Sequence, residues 1–231
     1  MNTIAFINEH GFEQLVKQHR LKLHTKGSYY TLDYTTSSCN PINDECHGLV
    51  LKKVVTTSTT MVDPTPTPVE TWKIVYNCMK RTRSEYAGSS AKAKQNAALI
   101  EHCDLVEKVD GSFIKLYFDE IWHIGTRSVA SDDETNKLIA LFLSAFYVDG
   151  SSLDGEILKP LKTVSELSDY LNNFGLDKTL SYMFEIVSPK NKIILNYDQT
   201  MVYALNAMVT ETGNYINRDT LKTTLEVGGV Y

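Results

Sequence analysis

Short runs of alternating apolar and polar residues, each closed by turn chemistry, constrain this chain more than any other feature of it. "SYYTLDY" (28–34), "HGLVLKK" (47–53), "TWKIVYN" (71–77) and the run 112–118 read as β-strands. So do "SYMFEIV" (181–187), "KIILNY" (192–197) and "MVYALNAMV" (201–209), which Ser-Pro-Lys-Asn and Asp-Gln turns separate, so an antiparallel meander is expected there. Residues 55–68, "VTTSTTMVDPTPTP", carry Thr and Pro at a density that regular elements tolerate poorly, which predicts an exposed loop inserted between strands.

Helices are fewer and have legible starts. Phe12, Leu15, Val16 and His19 recur at helical spacing, and an Ala-rich stretch predicts a helix from about Ser90. Ser131-Asp-Asp-Glu134 and Thr163-Val-Ser-Glu166 both match the capping box, in which hydroxyl and carboxylate satisfy backbone donors at a helix start. The first precedes Leu138, Ile139, Leu141, Phe142 and Phe146; the second precedes Leu167, Tyr170 and Leu171, with Gly175 as a stop. The expected fold class is α+β, a mainly antiparallel two-sheet core with helices packed outside, within residues 1–231 as a single domain.

Composition narrows the partners. A net charge of −5 advertises no global basic field, so any nucleic-acid contact must come from local patches such as Lys80, Arg81 and Arg83. A short charge run of that kind is more often a solvated face. Cys39, Cys46, Cys78 and Cys103 lack C-x-x-C spacing, which disfavours a zinc knuckle or a disulfide framework and fits buried thiols in a reducing cytoplasm. His123 has no second ligand at metal spacing and reads as a strand histidine. No stretch approaches the roughly 18 apolar residues of a membrane span, and the opening "MNTIAFINEHGFEQ" lacks a signal-peptide pattern, so no membrane association is expected.

One stretch carries candidate chemistry. "LVEKVDGSFIKLYF" (105–118) predicts a strand ending at Val109, an Asp-Gly turn, and a second strand with Ile114, Leu116 and Phe118 on one face. A K-x-D-G match has roughly a few per cent chance of arising in a chain of this length, so alone it reads as an ordinary hairpin.

Its company alters that reading. "EKVDGSF" resembles the nucleophile motif of the covalent nucleotidyltransferases, the family of ATP-dependent ligases and messenger-RNA capping enzymes, and most of all the RNA ligases of the T-even phage type. "ECHGLV" (45–50) resembles their E-C-R-G segment, "VYN" (75–77) their F-F-N segment, and "GTRS" (125–128) a basic turn after the hairpin. "FEIVSPKNKIILNY" (184–197) is similar to their third motif and its continuation, and "ETGNYI" (211–216) extends the match. The segments fall in the family's order over about 28–218.

The resemblance implies an ATP-grasp-like nucleotidyltransferase core. It implies that Lys108 attacks the α-phosphorus of ATP to give lysyl-AMP, in a basic or desolvating pocket that favours the neutral amine. It gives Asp110 and Gly111 the shaping of the turn close to the nucleotide, and Glu185 the ribose or a magnesium ion. Arg127 would face phosphate, although a plain surface charge is an equal reading of that turn residue, and Tyr34 aligns with a nucleotide-site tyrosine. Implied cofactors are ATP and Mg2+. Implied partners are RNA ends bearing a 5′-phosphate and a 3′-hydroxyl, with a second chain completing the site as a further option. The compartment would be the host cytoplasm if the origin is a phage.

Three departures bear on activity. His47 stands where the family carries arginine, Ile74 precedes Val75 where a lysine is usual, and no segment up to "LEVGGVY" resembles the family's fourth E-G or fifth K-x-K motif. Groups that stabilise developing charge are often the largest catalytic contribution, so reduced activity of the chain alone is expected. A non-sealing nucleotide- or RNA-binding module, or one half of a split ligase, is the competing reading, and a nucleotidyl transfer to another acceptor is a third.

Overall fold

The computed structural model describes residues 2–35, 40–58, 67–79, 107–148 and 159–227. Two four-stranded antiparallel sheets organise them, and the fold is α+β. The first sheet has the order β1(Leu21–Lys26), β2(Tyr29–Tyr34), β3(His47–Ser58), β4(Thr67–Tyr76). The second has the order β10(Met201–Val209), β9(Leu180–Val187), β5(Ser112–Asp119), β6(Ile121–Thr126), and β7(Tyr147–Val148) pairs with β8(Lys159–Pro160) apart from both. Helices α1(Asn2–His10), α2(Phe12–His19) and α3(Pro41–Glu45) accompany the first sheet, and α4(Lys137–Leu143), α5(Val164–Phe174) and α6(Arg218–Val227) the second.

The alternation of β5 explains this layering. Ile114 and Leu116, with Phe118 at the margin, enter a core with Phe142, Leu167, Leu171, Tyr182, Phe184 and Leu221. Phe113 and Tyr117 enter a second core with Leu32, Leu49, Leu51, Val75, Tyr76 and Met183. One face of the strand therefore packs on helices and the other on the first sheet, as period-two side chains require. The predicted face of Ile114, Leu116 and Phe118 is borne out.

Thr163 and Glu166 form the expected capping box, and Gly175 ends that helix at φ 69°. The other predicted box does not form: α4 begins at Lys137, capped by Asn136, whose side chain accepts from the Leu138 amide. Asp132 and Asp133 instead fold the preceding turn, and Glu134 accepts from the Val164 amide of α5. Two strand expectations also fail. β5 pairs with β6 and β9, so residues 107–109 do not form a hairpin arm with it. Residues 192–197 are not a strand, and Ile194 is 76% exposed there, so the meander reduces to β9 and β10.

Around the Thr/Pro stretch, Val55–Ser58 and Thr67–Pro68 are paired strand, which shortens the expected loop; residues 59–66 lie outside the described residues. So do the helix expected from Ser90, Lys80, Arg81 and Arg83, and Cys39 and Cys103. Cys46 and Cys78 are free thiols in the core, and burial pushes the Cys78 thiol up to about 12, as for inert buried groups. Among the described residues no helix is long and apolar enough to cross a membrane.

Candidate active site

Two clusters hold the predicted site residues, one at each end of a short path along β5. The first lies where the chain enters that strand. Gly111 donates its amide to Glu185 Oε1 at 3.2 Å, joining residues 74 apart in sequence. A Cβ on Gly111 would sit 2.4 Å from the Ile186 carbonyl oxygen and 2.9 Å from Glu185 Cγ, so β9 leaves room for hydrogen alone. This close approach, rather than a hairpin turn, is what requires glycine.

Asp110 is committed in the same way. Its Oδ2 accepts the amides of Ile194 and Leu195, each at 2.7 Å, and its own amide donates to the Tyr197 hydroxyl at 3.2 Å. Those amides hold the Asp110 carboxyl below its usual range, with a smaller contribution from the Lys108 charge. The expected strand 192–197 is thus a backbone bracket around Asp110. Asn191 completes it by donating to Ser112 Oγ at 2.8 Å.

Glu185 is half-buried on β9, and that burial raises its carboxyl, against the opposing pull of the Gly111 amide and the Lys108 charge. Lys108 is exposed, so the described residues do not build the desolvating pocket expected around it. Residues 218–227 form helix α6 and place Leu221 and Leu225 in the helix-side core.

The second cluster joins the two sheets. Arg127, in the turn after β6, sets its Nε 3.2 Å from Oδ2 of Asp33, a buried carboxylate on β2. Tyr34 follows Asp33, and its ring lies 5.5 Å from the His47 ring at the start of β3. Gly48 has φ 90°, and a Cβ there would lie 2.6 Å from the Arg127 carbonyl oxygen. The predicted Tyr34 and Arg127 therefore meet, together with His47, which stands where the family carries arginine.

Sequence reasoning missed the residue that ties β5 to the second cluster. Lys115 is fully buried on the β5 face turned to the first sheet, with Nζ 3.0 Å from the Gly48 carbonyl oxygen and 3.3 Å from that of Arg127. It follows Gly111 by four residues, about 13 Å of strand. Its signal was a lysine interrupting the apolar alternation of "SFIKLYF" on a strand with both faces covered. Asp33 was missed as well, although it carries Arg127.

Elsewhere the matched segments do structural work. Glu45 accepts the Asn2 and Thr3 amides and the Thr3 hydroxyl, at 3.1, 2.9 and 2.7 Å, at the start of α1, where a carboxylate meets unpaired amides and the positive end of the helix dipole. Asn77 reaches the second sheet, donating its backbone amide to Ser181 Oγ at 2.9 Å. His123 is a strand histidine, 3.1 Å from the Asp119 carbonyl oxygen, and burial lowers it below its ordinary value.

Among the described residues no three His, Cys, Asp or Glu side chains gather to hold a metal. Mg2+ that arrives with nucleotide phosphates commonly takes one or two protein carboxylates and completes its shell from substrate and water, and Glu185 is the residue that the resemblance puts forward for it.

No protein-family model matches the chain. A protein of Autographa californica nuclear polyhedrosis virus, named as a bifunctional polynucleotide kinase/RNA ligase, is 30% identical over 119 residues. The match takes in 50% of this chain and 16% of the viral protein. Over half its length, then, the chain is similar to a viral protein that bears an RNA-ligase name.

Proposed function

We propose that this chain carries the adenylyl-accepting site of an RNA ligase-like nucleotidyltransferase. The observation that carries the reading is the Gly111 amide on Glu185, which sets the "KVDG" and "FEIV" segments side by side with Lys108 close enough for its charge to act on Glu185. The relative's RNA-ligase name supports the same class.

In this reading the Lys108 amine, once deprotonated, attacks the α-phosphorus of ATP. A nitrogen–phosphorus bond forms, the bond to the bridging oxygen breaks, and pyrophosphate leaves with that electron pair. An RNA 5′-phosphate then takes the AMP, and a 3′-hydroxyl displaces AMP to seal the strand. Asp110 and Gly111 fix the backbone on which Lys108 stands, Glu185 faces the ribose or a phosphate-bound Mg2+, Arg127 faces phosphate, and Tyr34 lines the nucleotide site. Magnesium would neutralise phosphate oxygens.

The exposure of Lys108 favours a second reading, in which the chain binds nucleotide or RNA and needs a partner chain for catalysis. Incubation with α-labelled ATP and Mg2+, followed by denaturing separation, tests both. Acid-labile label on the wild type and none on Lys108→Ala supports autonomous adenylylation. No label at high protein concentration overturns it and leaves the binding reading, which nucleotide titration then checks.

A further inference from the structure

Lysine is among the residues least often fully buried, and Lys115 has no carboxylate within ion-pair distance among the described residues. Its surroundings instead offer hydrogen-bond acceptors. The carbonyls of Gly48 and Arg127 lie 3.0 and 3.3 Å from Nζ, matching the two N–H bonds of a neutral amine, and the Tyr76 ring centroid lies 5.2 Å away, where a third N–H of the ammonium form would be accommodated.

Both acceptors belong to the second cluster of the candidate site. Gly48 follows His47, and Arg127 reaches Asp33. The two backbones already touch at Gly48, where a Cβ would collide with the Arg127 carbonyl. The amine thus closes a junction that joins the start of β3 to the turn after β6. An apolar side chain at 115 would leave both backbone carbonyls without this donor, so the amine ties the two backbones together.

We infer that Lys115 is a positioning residue for the candidate nucleotide site, holding the Gly48 and Arg127 backbones together so that the Arg127 guanidinium stands at Asp33. This rests on the ligase-like reading for what the site binds, but the geometry of the junction does not. Burial lowers the Lys115 amine to about 7, against the pull of Cys78 and Asp33, so the strut would change charge near neutrality. The groups around it are Asp33 on β2, His47 at the start of β3, Tyr76 on β4, Cys78 beyond it, Tyr117 on β5 and Arg127 after β6; from β9 its paired neighbour is the uncharged Met183.

The test follows the guanidinium carbon of Arg127 by NMR from pH 6 to 8.5, assigned with Arg127→Lys, in the full chain. Lys115→Met and Lys115→Gln are compared with wild type, and circular dichroism confirms which variants fold. A wild-type midpoint near 7 that disappears in the folded Lys115 variant and survives in His47→Gln is expected. An Arg127 signal unchanged by Lys115 substitution, or a midpoint that disappears with His47 instead, overturns the inference.

With the same proteins, the ATP concentration for half-maximal labelling should rise about tenfold or more in the Lys115 variant while the saturating rate changes little. A fall in rate at unchanged ATP dependence would mark a general structural role and counts against positioning. Absence of label on the wild type overturns the ligase-like reading alone, and the Arg127 signal then decides the positioning of the junction.

Discussion

Arg127 Nε and Asp33 Oδ2 stand 3.2 Å apart across the two sheets, with the carboxylate buried and the guanidinium half-exposed. Asp33 also accepts the Tyr34 amide through Oδ1 at 3.1 Å, so one carboxylate orders two of the predicted nucleotide-facing residues. Asp33→Ala should leave both donors without that acceptor and cost about 1–3 kcal/mol. Urea unfolding measures it; a loss below about 0.5 kcal/mol, the ordinary scatter of neutral surface changes, would show that the pair does not order the cluster.

Gly111→Ala places a methyl group against the Ile186 carbonyl at 2.4 Å, and backbone cannot rotate away as a side chain could. The expected loss is about 1–3 kcal/mol, as for overpacked interiors, with displacement of the Gly111 amide from Glu185. Gly175→Ala, where no atom lies within 4 Å of the added Cβ, is the comparison, although its φ of 69° carries its own strain. If urea unfolding shows Gly111→Ala as stable as wild type, the close approach to β9 is not restrictive.

How far the sequence predicted this arrangement depends on which residues set each element. α5 was legible because Thr163, Glu166 and Gly175 act through local hydrogen bonds and local φ. The Ser131 box was equally local, yet Asp132, Asp133 and Asn136 offered competing turn bonds and moved the helix start to Lys137. For "KIILNY" the β-rich composition between turns pointed to a strand, but Asp110, more than 80 residues away, took the Ile194 and Leu195 amides and kept them out of a ladder. The segments resembling ligase motifs were readable as residues, whereas their supports, Asp33 and Lys115, depend on which strand ends meet, which periodicity does not encode.

Glu185 yields a pH prediction. Its carboxyl is raised by burial, so the folded chain keeps the proton to higher pH than the unfolded chain. Stability therefore falls as pH rises from the unfolded value, about 4.3, through the raised folded value, and the cost is constant beyond it. Glu185→Gln keeps an acceptor for the Gly111 amide and removes that cost, so it should match wild type below about pH 4 and be the more stable protein at pH 7. Melting at pH 4 and pH 7 checks this, and a variant less stable only at pH 7 would reverse the assignment. A gain in stability with loss of labelling would mark Glu185 as a residue kept for its chemistry.

Asp119 gives the opposite sign. It is buried at the end of β5, where it takes Lys52 at 2.7 Å, the Tyr29 hydroxyl at 2.9 Å and Lys73 at 3.4 Å, joining the first sheet to the second. Burial alone would raise its carboxyl, but the hydrogen bonds from Lys52 and Tyr29 prevail and hold it below the ordinary value. A lowered acid stabilises the fold above the unfolded value of about 3.9 and loses that contribution as pH falls through the folded value. Asp119→Ala should then cost about 3 kcal/mol at pH 7, toward the lower end for a broken buried pair because Lys52 retains Glu120 at 2.8 Å. The deficit should shrink as pH falls below about 4, where the unfolded chain binds the proton that the folded carboxylate still resists. Denaturant unfolding of both proteins at pH 3 and pH 7 measures the two deficits, and equal values would mean that packing at Asp119, rather than its charge, joins the sheets.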